Sequence, residues 1–251
     1  MGFVPSVSIA FIMVFITMLC WGSWSNTLKK CGNWRFESFY WDYSWSIILW
    51  TFLLAFTLGG FSHSGWAVDN FVKSFSNVNP SGFFWAIFAG FVWGSGNLLL
   101  VEAIALAGFS IAFPLGVGLA SILGTLLSFI TKPEATHNPL FLFIGLGFIT
   151  LAIIANALAY KIKEGNGVRN KYFIRGIIVS IICGILIGLY PFPFNYAFKA
   201  GLNGYQGGFL MTIGGLISAL ILLPIIMKKP LIPNQAPIGF AEYKRAKLSW
   251  H

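Results

Sequence analysis

The sequence predicts an all-α polytopic membrane protein with seven transmembrane helices. Its 251 residues are 57% hydrophobic and only 9% charged, which leaves too little polar surface to cover a soluble globule. The Lys and Arg residues avoid the long apolar stretches and collect in the gaps between them. The alternating apolar and polar residues of a barrel strand are absent, so helices are the expected way to pair every backbone group in lipid.

The apolar stretches define the predicted spans in chain order. The stretch from Gly82 to Thr131 contains one charged residue, Glu102, and as a helix it would be about 75 Å long, against roughly 30 Å of hydrocarbon. It must therefore cross twice, with a turn near Gly108. The seven predicted spans are residues 6–26, 40–61, 83–107, 109–131, 139–160, 173–198 and 205–227. A short interfacial helix is expected in the gap between spans 2 and 3.

The distribution of charge predicts the orientation. All but three of the 16 Lys and Arg residues lie between spans 1 and 2, around the join of spans 5 and 6, or after span 7; the exceptions are Lys73, Lys132 and Lys199. The positive-inside rule then places the N-terminus outside and the tail in the cytosol of a plasma or bacterial inner membrane. The net charge of +9 is spread over loops that flank the lipid bilayer, so it predicts no nucleic-acid partner.

No motif predicts an enzyme, a cofactor or a metal site. The cysteines Cys20, Cys31 and Cys183 lack metal-ligand or redox spacing. His63 and His137 have no ligand partner at a usable spacing, and neither a P-loop nor a nucleophile-elbow motif occurs. We therefore expect a membrane protein that is not an enzyme and holds no cofactor.

A weak internal repeat divides the chain. Residues 21–30 align with residues 190–199 and place Asn26 on Asn195. Five spans separate the two copies, so the second copy would be inverted, as in many secondary transporters; chance similarity between aromatic-rich helix ends is the alternative. The predicted domains are residues 1–162, a first five-helix repeat; 163–172, a cytosolic linker; and 173–251, two helices and a basic tail that begin a second repeat. The chain is then either a shortened member of its class or lacks three C-terminal helices.

Glu102 is the only acidic residue well inside a predicted span. An intramembrane carboxylate costs about 2.5–3.5 kcal/mol on insertion scales unless it pairs or faces a cavity, which makes it a functional candidate. We expect Glu102 to carry a coupling proton or to contact a polar solute. The alternative is that span 3 ends earlier and Glu102 extends its carboxylate to the headgroups.

Amides and aromatic residues together indicate a solute site. Three asparagines lie in or at the ends of spans beside aromatic residues, an arrangement that suits a sugar or a flat heterocycle. Interhelical hydrogen bonds are the alternative for any single amide. An aspartate at the start of span 2 either stabilises that helix N-terminus or joins an inner gate. The candidates for solute binding or ion coupling are therefore Glu102, Asn26, Asn97, Trp21, Trp93, Asn195 and Asp42.

Glycines and prolines predict where helices pack and break. Gly22, Gly90 and Gly94 are expected to let neighbouring helices approach closely. Pro191 and Pro193 interrupt span 6, and a broken helix frees backbone groups to line a cavity. A simple kink is the alternative.

Residues 21–30 and 91–118 resemble the drug/metabolite transporter superfamily, and within it the glucose/ribose-porter (sugar permease) and ureide-permease branch. The matching positions are Trp21, Gly22, Asn26, Gly94 and Asn97. The resemblance implies ten helices in two inverted five-helix halves, alternating access, and uptake of a small polar metabolite with a proton or sodium ion. The chain departs from this pattern after seven spans, which implies either missing C-terminal helices or a homo-oligomer.

These observations predict a secondary active transporter of a small polar solute, with a sugar or a ureide-like compound as the expected class. A multidrug or metabolite exporter of the same superfamily is one alternative. A seven-helix receptor and a non-transporting membrane partner are two others. A retinal protein is excluded because span 7 has no Lys between Tyr205 and Met227 to form the Schiff base.

Overall fold

A computed structural model describes residues 3, 6–32, 34–131, 138–164, 172–232 and 235–244. Within these ranges, six helices are long and apolar enough to cross a membrane, which confirms the polytopic all-α class. The first predicted span forms a shorter helix, Val7–Ser23, of 17 residues. That length lies at the lower limit for crossing the hydrocarbon. Most of the predicted linker and the end of the tail lie outside the described residues.

The helices follow the predicted spans closely. In chain order they are α1 (Val7–Ser23), α2 (Phe36–Phe56), α3 (Asn70–Lys73), α4 (Ser81–Ala107), α5 (Phe109–Thr131), α6 (Pro139–Glu164), α7 (Phe173–Leu189), α8 (Pro191–Lys199), α9 (Gly204–Lys228) and α10 (Phe240–Tyr243). A two-stranded antiparallel hairpin, β1 (Phe61–Ser62) and β2 (Gly65–Trp66), follows α2. Short 3₁₀ turns cover Trp24–Asn26, Leu28–Cys31, Leu58–Gly60 and Ser74–Asn77.

Local sequence explains where several helices begin and end. The Asn203 side chain accepts hydrogen bonds from two amides of the first turn of α9, and Gln206 bonds back to the Asn203 amide, which completes a capping box. Gly108 separates α4 from α5 with φ of 82°, a backbone region that favours glycine. Pro191 begins α8 directly after Tyr190, because proline suits the first turn of a helix and cannot continue the hydrogen bonding of α7.

Helix α4 lies at the centre of the bundle, and a larger share of it is buried than of the other long helices described. It packs against α9 through glycines: a Cβ at Gly90 would lie 1.9 Å from the Met211 carbonyl oxygen, and one at Gly214 would lie 2.0 Å from that of Ile87. Such clashes involve backbone atoms, so only glycine permits this approach. By contrast, α1 has no buried residue and packs at the edge of the bundle.

The segment between α2 and α4, where a short interfacial helix is expected, contains the short helix α3 followed by a 3₁₀ turn. Phe71 is buried against the rings of Phe56 and Phe209, whereas Val68 and Val72 are exposed. The apolar side chains of this segment therefore point partly into the bundle and partly away from it.

The two ends of the bundle carry different groups. At the first, here called the Arg35 end, α2 begins and α9 ends, joined by a hydrogen bond from Arg35 to the segment after α9. At the second, the Lys199 end, α8 ends and α4 begins, joined by a 3.0 Å hydrogen bond from the Asn79 amide to the Ala200 carbonyl. The expectation that the Arg35 end faces the cytosol stays a prediction.

Candidate functional site

A cavity of about 540 Å³ lies between α5 on one side and α7 and α8 on the other. Three of the residues selected from the sequence line it: Trp21, Trp93 and Asn195. The cavity extends from the centre of the bundle, at Trp93, toward the Lys199 end, at Asn195. Its volume falls within the range of about 300–1,000 Å³ that is usual for small-molecule sites.

Aromatic rings form the inner end of this cavity. Trp21 and Trp93 meet edge to face, with ring centroids 6.3 Å apart and planes at 82°. This geometry is favourable for two aromatic rings. Tyr190, at the break between α7 and α8, adds a third ring to the lining.

A row of hydroxyl groups on α5 faces the same space. Ser121, Thr125 and Ser128 line the cavity, and their i, i+4, i+7 spacing places them on one face of the helix. The Ser121 hydroxyl donates to the Val117 carbonyl oxygen at 2.8 Å. Within the described part of the chain, the hydroxyls of Thr125 and Ser128 have no hydrogen-bond partner. Sequence reasoning missed this row, although its helical spacing is visible in span 4.

Asn97 lies outside the cavity, in a separate buried cluster. Its Nδ2 donates to the hydroxyl oxygens of Tyr40 and Tyr43, each at 3.2 Å, and the Tyr40 hydroxyl donates to the Gly94 carbonyl oxygen at 3.3 Å. Tyr43 also stacks on Trp24, with centroids 4.6 Å apart. Asn97 Oδ1 is buried and has no partner among the described groups. This amide therefore joins α4 to α2.

A second cavity, of about 10 Å³, separates the Asn97 cluster from Trp93. The side chains of Ser44 and Thr212 contribute hydroxyls to its wall. A space of this size holds about one water molecule when polar groups surround it. Trp93 lines both cavities, so its indole ring is the partition between them.

The remaining residues selected from the sequence are distributed elsewhere. Asn26 is exposed at the end of a 3₁₀ turn and does not line the cavity. A methyl group at Gly22 would meet no described atom within 4 Å. Gly94 lies against α9, where a Cβ would lie 2.3 Å from Ser218 Oγ and 2.8 Å from Gly215 Cα.

Glu102 is fully buried near the Arg35 end of α4, and neither of its carboxyl oxygens has a hydrogen-bond partner among the described residues. It follows Asn97 by five residues, which places it about 140° around the helix from that amide. Because the Glu102 side chain is enclosed by the bundle and α4 continues to Ala107, its carboxylate does not extend to the bundle surface, as the alternative requires. Among the residues that the structure describes, Glu37, Arg35 and Arg175 are the charged groups that act on Glu102 electrostatically.

A second acidic residue, Glu37, is also fully buried but is paired. Arg35 Nε donates to Glu37 Oε2 at 3.1 Å, and Nη2 of the same guanidinium donates to Oε1. The remaining nitrogen, Nη1, donates to the Ala236 carbonyl oxygen. A forked pair of this kind is among the strongest charge-assisted contacts in proteins.

Asp42 also lies at the Arg35 end and does not line the cavity. Its Oδ1 accepts a hydrogen bond from the Tyr243 hydroxyl. Burial, together with the hydrogen bond to Asp42 and its negative charge, raises the pKa of Tyr243 to about 12. Asp42 therefore joins α2 to α10.

Comparison with known proteins finds a transporter. The chain is 23% identical over 232 residues to an L-rhamnose-proton symporter of Enterobacter sp. (strain 638). The alignment covers 88% of this chain and 62% of that protein, so the chain spans less than two thirds of its relative's length. No family model and no solved structure matches.

Proposed function

We propose that this protein is part of a secondary active transporter that moves a small sugar together with a proton. The observation that carries the proposal is the cavity beside α5, because it combines aromatic rings, unpaired hydroxyls and an amide inside a helical membrane bundle. The symporter similarity supports the same class. Since the chain spans only part of that relative, the proposal concerns the protein in its complete membrane assembly.

The chemistry of the lining favours a sugar over a ureide. The C–H face of a sugar ring packs on an aromatic ring, here Trp21 or Tyr190, while its hydroxyls bond to hydroxyl and amide groups. Among the described lining residues, Asn195 is the one side-chain amide, whereas Ser121, Thr125 and Ser128 supply three hydroxyls. A ureide would require several paired amide-type contacts, which this lining does not offer.

Glu102 is our candidate for the coupling group. Burying an isolated carboxylate costs far more than burying a neutral carboxylic acid, and both Glu102 oxygens are buried without a partner. In this conformation the residue therefore carries a proton. A sodium ion is the alternative coupling ion. Uptake measured under a proton gradient and under a sodium gradient distinguishes the two ions.

Uptake into proteoliposomes tests this proposal. We expect labelled L-rhamnose or a related monosaccharide to accumulate under an imposed proton gradient, and not under a sodium gradient alone. Trp21→Ala should reduce uptake about tenfold or more, because the loss of an apolar contact surface removes about 1.5–3 kcal/mol of binding. Asp69→Asn, in the exposed segment after β2, is the matched control and should behave as wild type. Uptake of ureides but no sugar would reject the solute class.

A further inference from the structure

The Arg35 end is covered by the segment of residues 235–244, here called the cover segment. Ile238 of this segment is only 9% exposed and packs in a cluster with Phe36, Trp41 and Met227. Its backbone amide donates to the Met227 carbonyl oxygen at 3.0 Å. The cover segment therefore extends the core beyond the end of α9 and closes the bundle above the buried acidic residues.

Aromatic and polar contacts from the start of α2 hold the cover segment in place. Phe240 packs on Trp41, with centroids 5.3 Å apart, and Tyr243 stacks on Trp34 at 6.3 Å. Tyr243 also donates to Asp42. Arg35 adds a further polar contact, to the Ala236 carbonyl oxygen.

Arg35 is therefore shared between the cover segment and the buried carboxyl groups. One guanidinium binds the Glu37 carboxylate with two nitrogens and the Ala236 carbonyl oxygen with the third. The charges of Arg35 and Glu37 cancel each other, so the buried region has no net charge while Glu102 is neutral. If Glu102 lost its proton, the buried region would hold one uncompensated negative charge, which is costly in a low-dielectric interior.

The charged groups around Glu102 indicate which cation would move toward it if it lost its proton. Arg35 and Glu37 act from the start of α2, and Arg175 acts from α7. Arg175 is exposed to solvent, whereas the Arg35 side chain is only 14% exposed and has already lost most of its hydration. Leu98, one helical turn before Glu102 on α4, belongs to the same buried apolar cluster as Leu223 and Ile226 of α9 and Ile238 of the cover segment. Lys228 at the end of α9, and Glu242 and Lys244 of the cover segment, are exposed, so water screens their charges.

We propose that Arg35 is a positioning residue that links the protonation of Glu102 to detachment of the cover segment. When Glu102 loses its proton, the guanidinium turns toward it and releases the Ala236 carbonyl oxygen. The cover segment then separates from α2 and opens the Arg35 end. The inference rests on the proposed proton coupling, and by linkage an open Arg35 end favours proton release to the same degree.

Thiol accessibility tests this link without any transported solute. In a protein whose native cysteines are replaced by alanine, Ile238→Cys is a buried probe and Ala241→Cys is an exposed reference on the same segment. Both are labelled in lipid nanodiscs with a membrane-impermeant maleimide over a range of pH. The ratio of the two rates removes the effect of pH on the thiol itself. We expect this ratio to rise about tenfold with pH, in the range typical of coupled sites.

Two variants identify the groups responsible. Glu102→Gln should keep the ratio low at every pH, because the side chain can no longer become charged. Arg35→Gln should keep it high at every pH, because the Ala236 contact is lost. Should Arg35→Gln fail to assemble, Arg35→Lys serves instead: one ammonium cannot replace the forked contacts, so the ratio should rise already at acidic pH.

The result that overturns the proposal is a wild-type ratio that does not change with pH, or a Glu102→Gln protein that shows the wild-type rise. Proton-driven uptake combined with a constant ratio rejects the link and retains the transport proposal. A pH-dependent ratio without proton-driven uptake retains the link and rejects the transport proposal.

Discussion

The cavity beside α5 and the Arg35 end differ in how their polar groups are paired. The cavity is open and lined by neutral groups, with the hydroxyls of Thr125 and Ser128 available to a ligand. The Arg35 end is closed and contains the buried charges of Glu37 and Arg35 beside the unpaired Glu102. Both regions share α4, on which Trp93 and Glu102 are nine residues, or about 14 Å, apart. The proposed solute and proton sites therefore lie apart on one central helix.

The largest expected effect comes from disturbing the shared helix. Gly90→Leu would drive a side chain into the Met211 backbone, so it should cost about 3 kcal/mol or more and damage both regions together. Thermal unfolding in detergent measures this. Gly147→Leu is the control, since nothing described lies within 4 Å of a Cβ there. Equal stability of the two variants would show that α4 and α9 are not packed as described.

Substitution of the two buried acidic residues should distinguish the ion-pairing role of Glu37 from the proposed proton-coupling role of Glu102. Glu37→Gln leaves the Arg35 charge without its partner and should cost about 2 kcal/mol in unfolding free energy. Glu102→Gln removes no hydrogen bond that is described, so its stability should stay within about 1 kcal/mol of wild type while proton-driven uptake falls. Chemical unfolding and uptake are measured on both variants. A Glu102→Gln protein less stable than Glu37→Gln would contradict the description of Glu37 as paired and Glu102 as unpaired.

A smaller effect is expected from the hydroxyl row. Thr125→Val keeps the shape of the side chain but removes one hydroxyl from the cavity, so solute affinity should fall by about 1 kcal/mol, or roughly fivefold. Stability should not change. Thr150→Val is the control, because its hydroxyl donates to the Leu146 carbonyl oxygen on α6, away from the cavity. Equal loss of affinity in the two variants would place the solute elsewhere.

The smallest effect concerns Tyr243 at the closed end. Its raised pKa means that the neutral phenol is favoured, so its contribution is complete below about pH 10 and is lost as pH rises through about 12. At neutral pH, Tyr243→Phe should change Ile238→Cys labelling by less than about twofold, because the aromatic stack remains. The difference in tyrosinate absorbance between wild type and Tyr243→Phe gives the titration directly. A midpoint near the ordinary value of about 10 would refute the hydrogen bond to Asp42.

The hydrophobic pattern predicted the helices well because membrane spans depend on local composition. The bounds of α4 and α5, and the break before Pro191, follow directly from Gly108 and proline chemistry. The inverted repeat stays a prediction: Asn195 lines the cavity, whereas its aligned partner Asn26 is exposed.

The candidate site was harder to predict because it depends on which face each helix turns inward. Asn97 was expected beside the solute. It lies on the face of α4 that is turned toward α2, where its side chain donates hydrogen bonds to Tyr40 and Tyr43. Thr125 and Ser128 were missed because isolated hydroxyls are common in membrane helices. From the sequence, Arg35 served only to predict the membrane orientation. Its contact with Ala236 could not be predicted because the two residues are 201 positions apart.

The break between α7 and α8 changes the main-chain hydrogen bonding beside the cavity. Because Pro191 has no N–H, the main-chain oxygen of Ile187, four residues earlier, receives no helical bond from it. Ile187 and Pro191 both line the cavity beside α5, so this oxygen is a candidate acceptor for a hydroxyl of the proposed solute. A conventional alanine scan of polar residues will overlook such a group. Replacing the imino acid itself with alanine is the change that would restore the missing donor and withdraw the oxygen from the ligand.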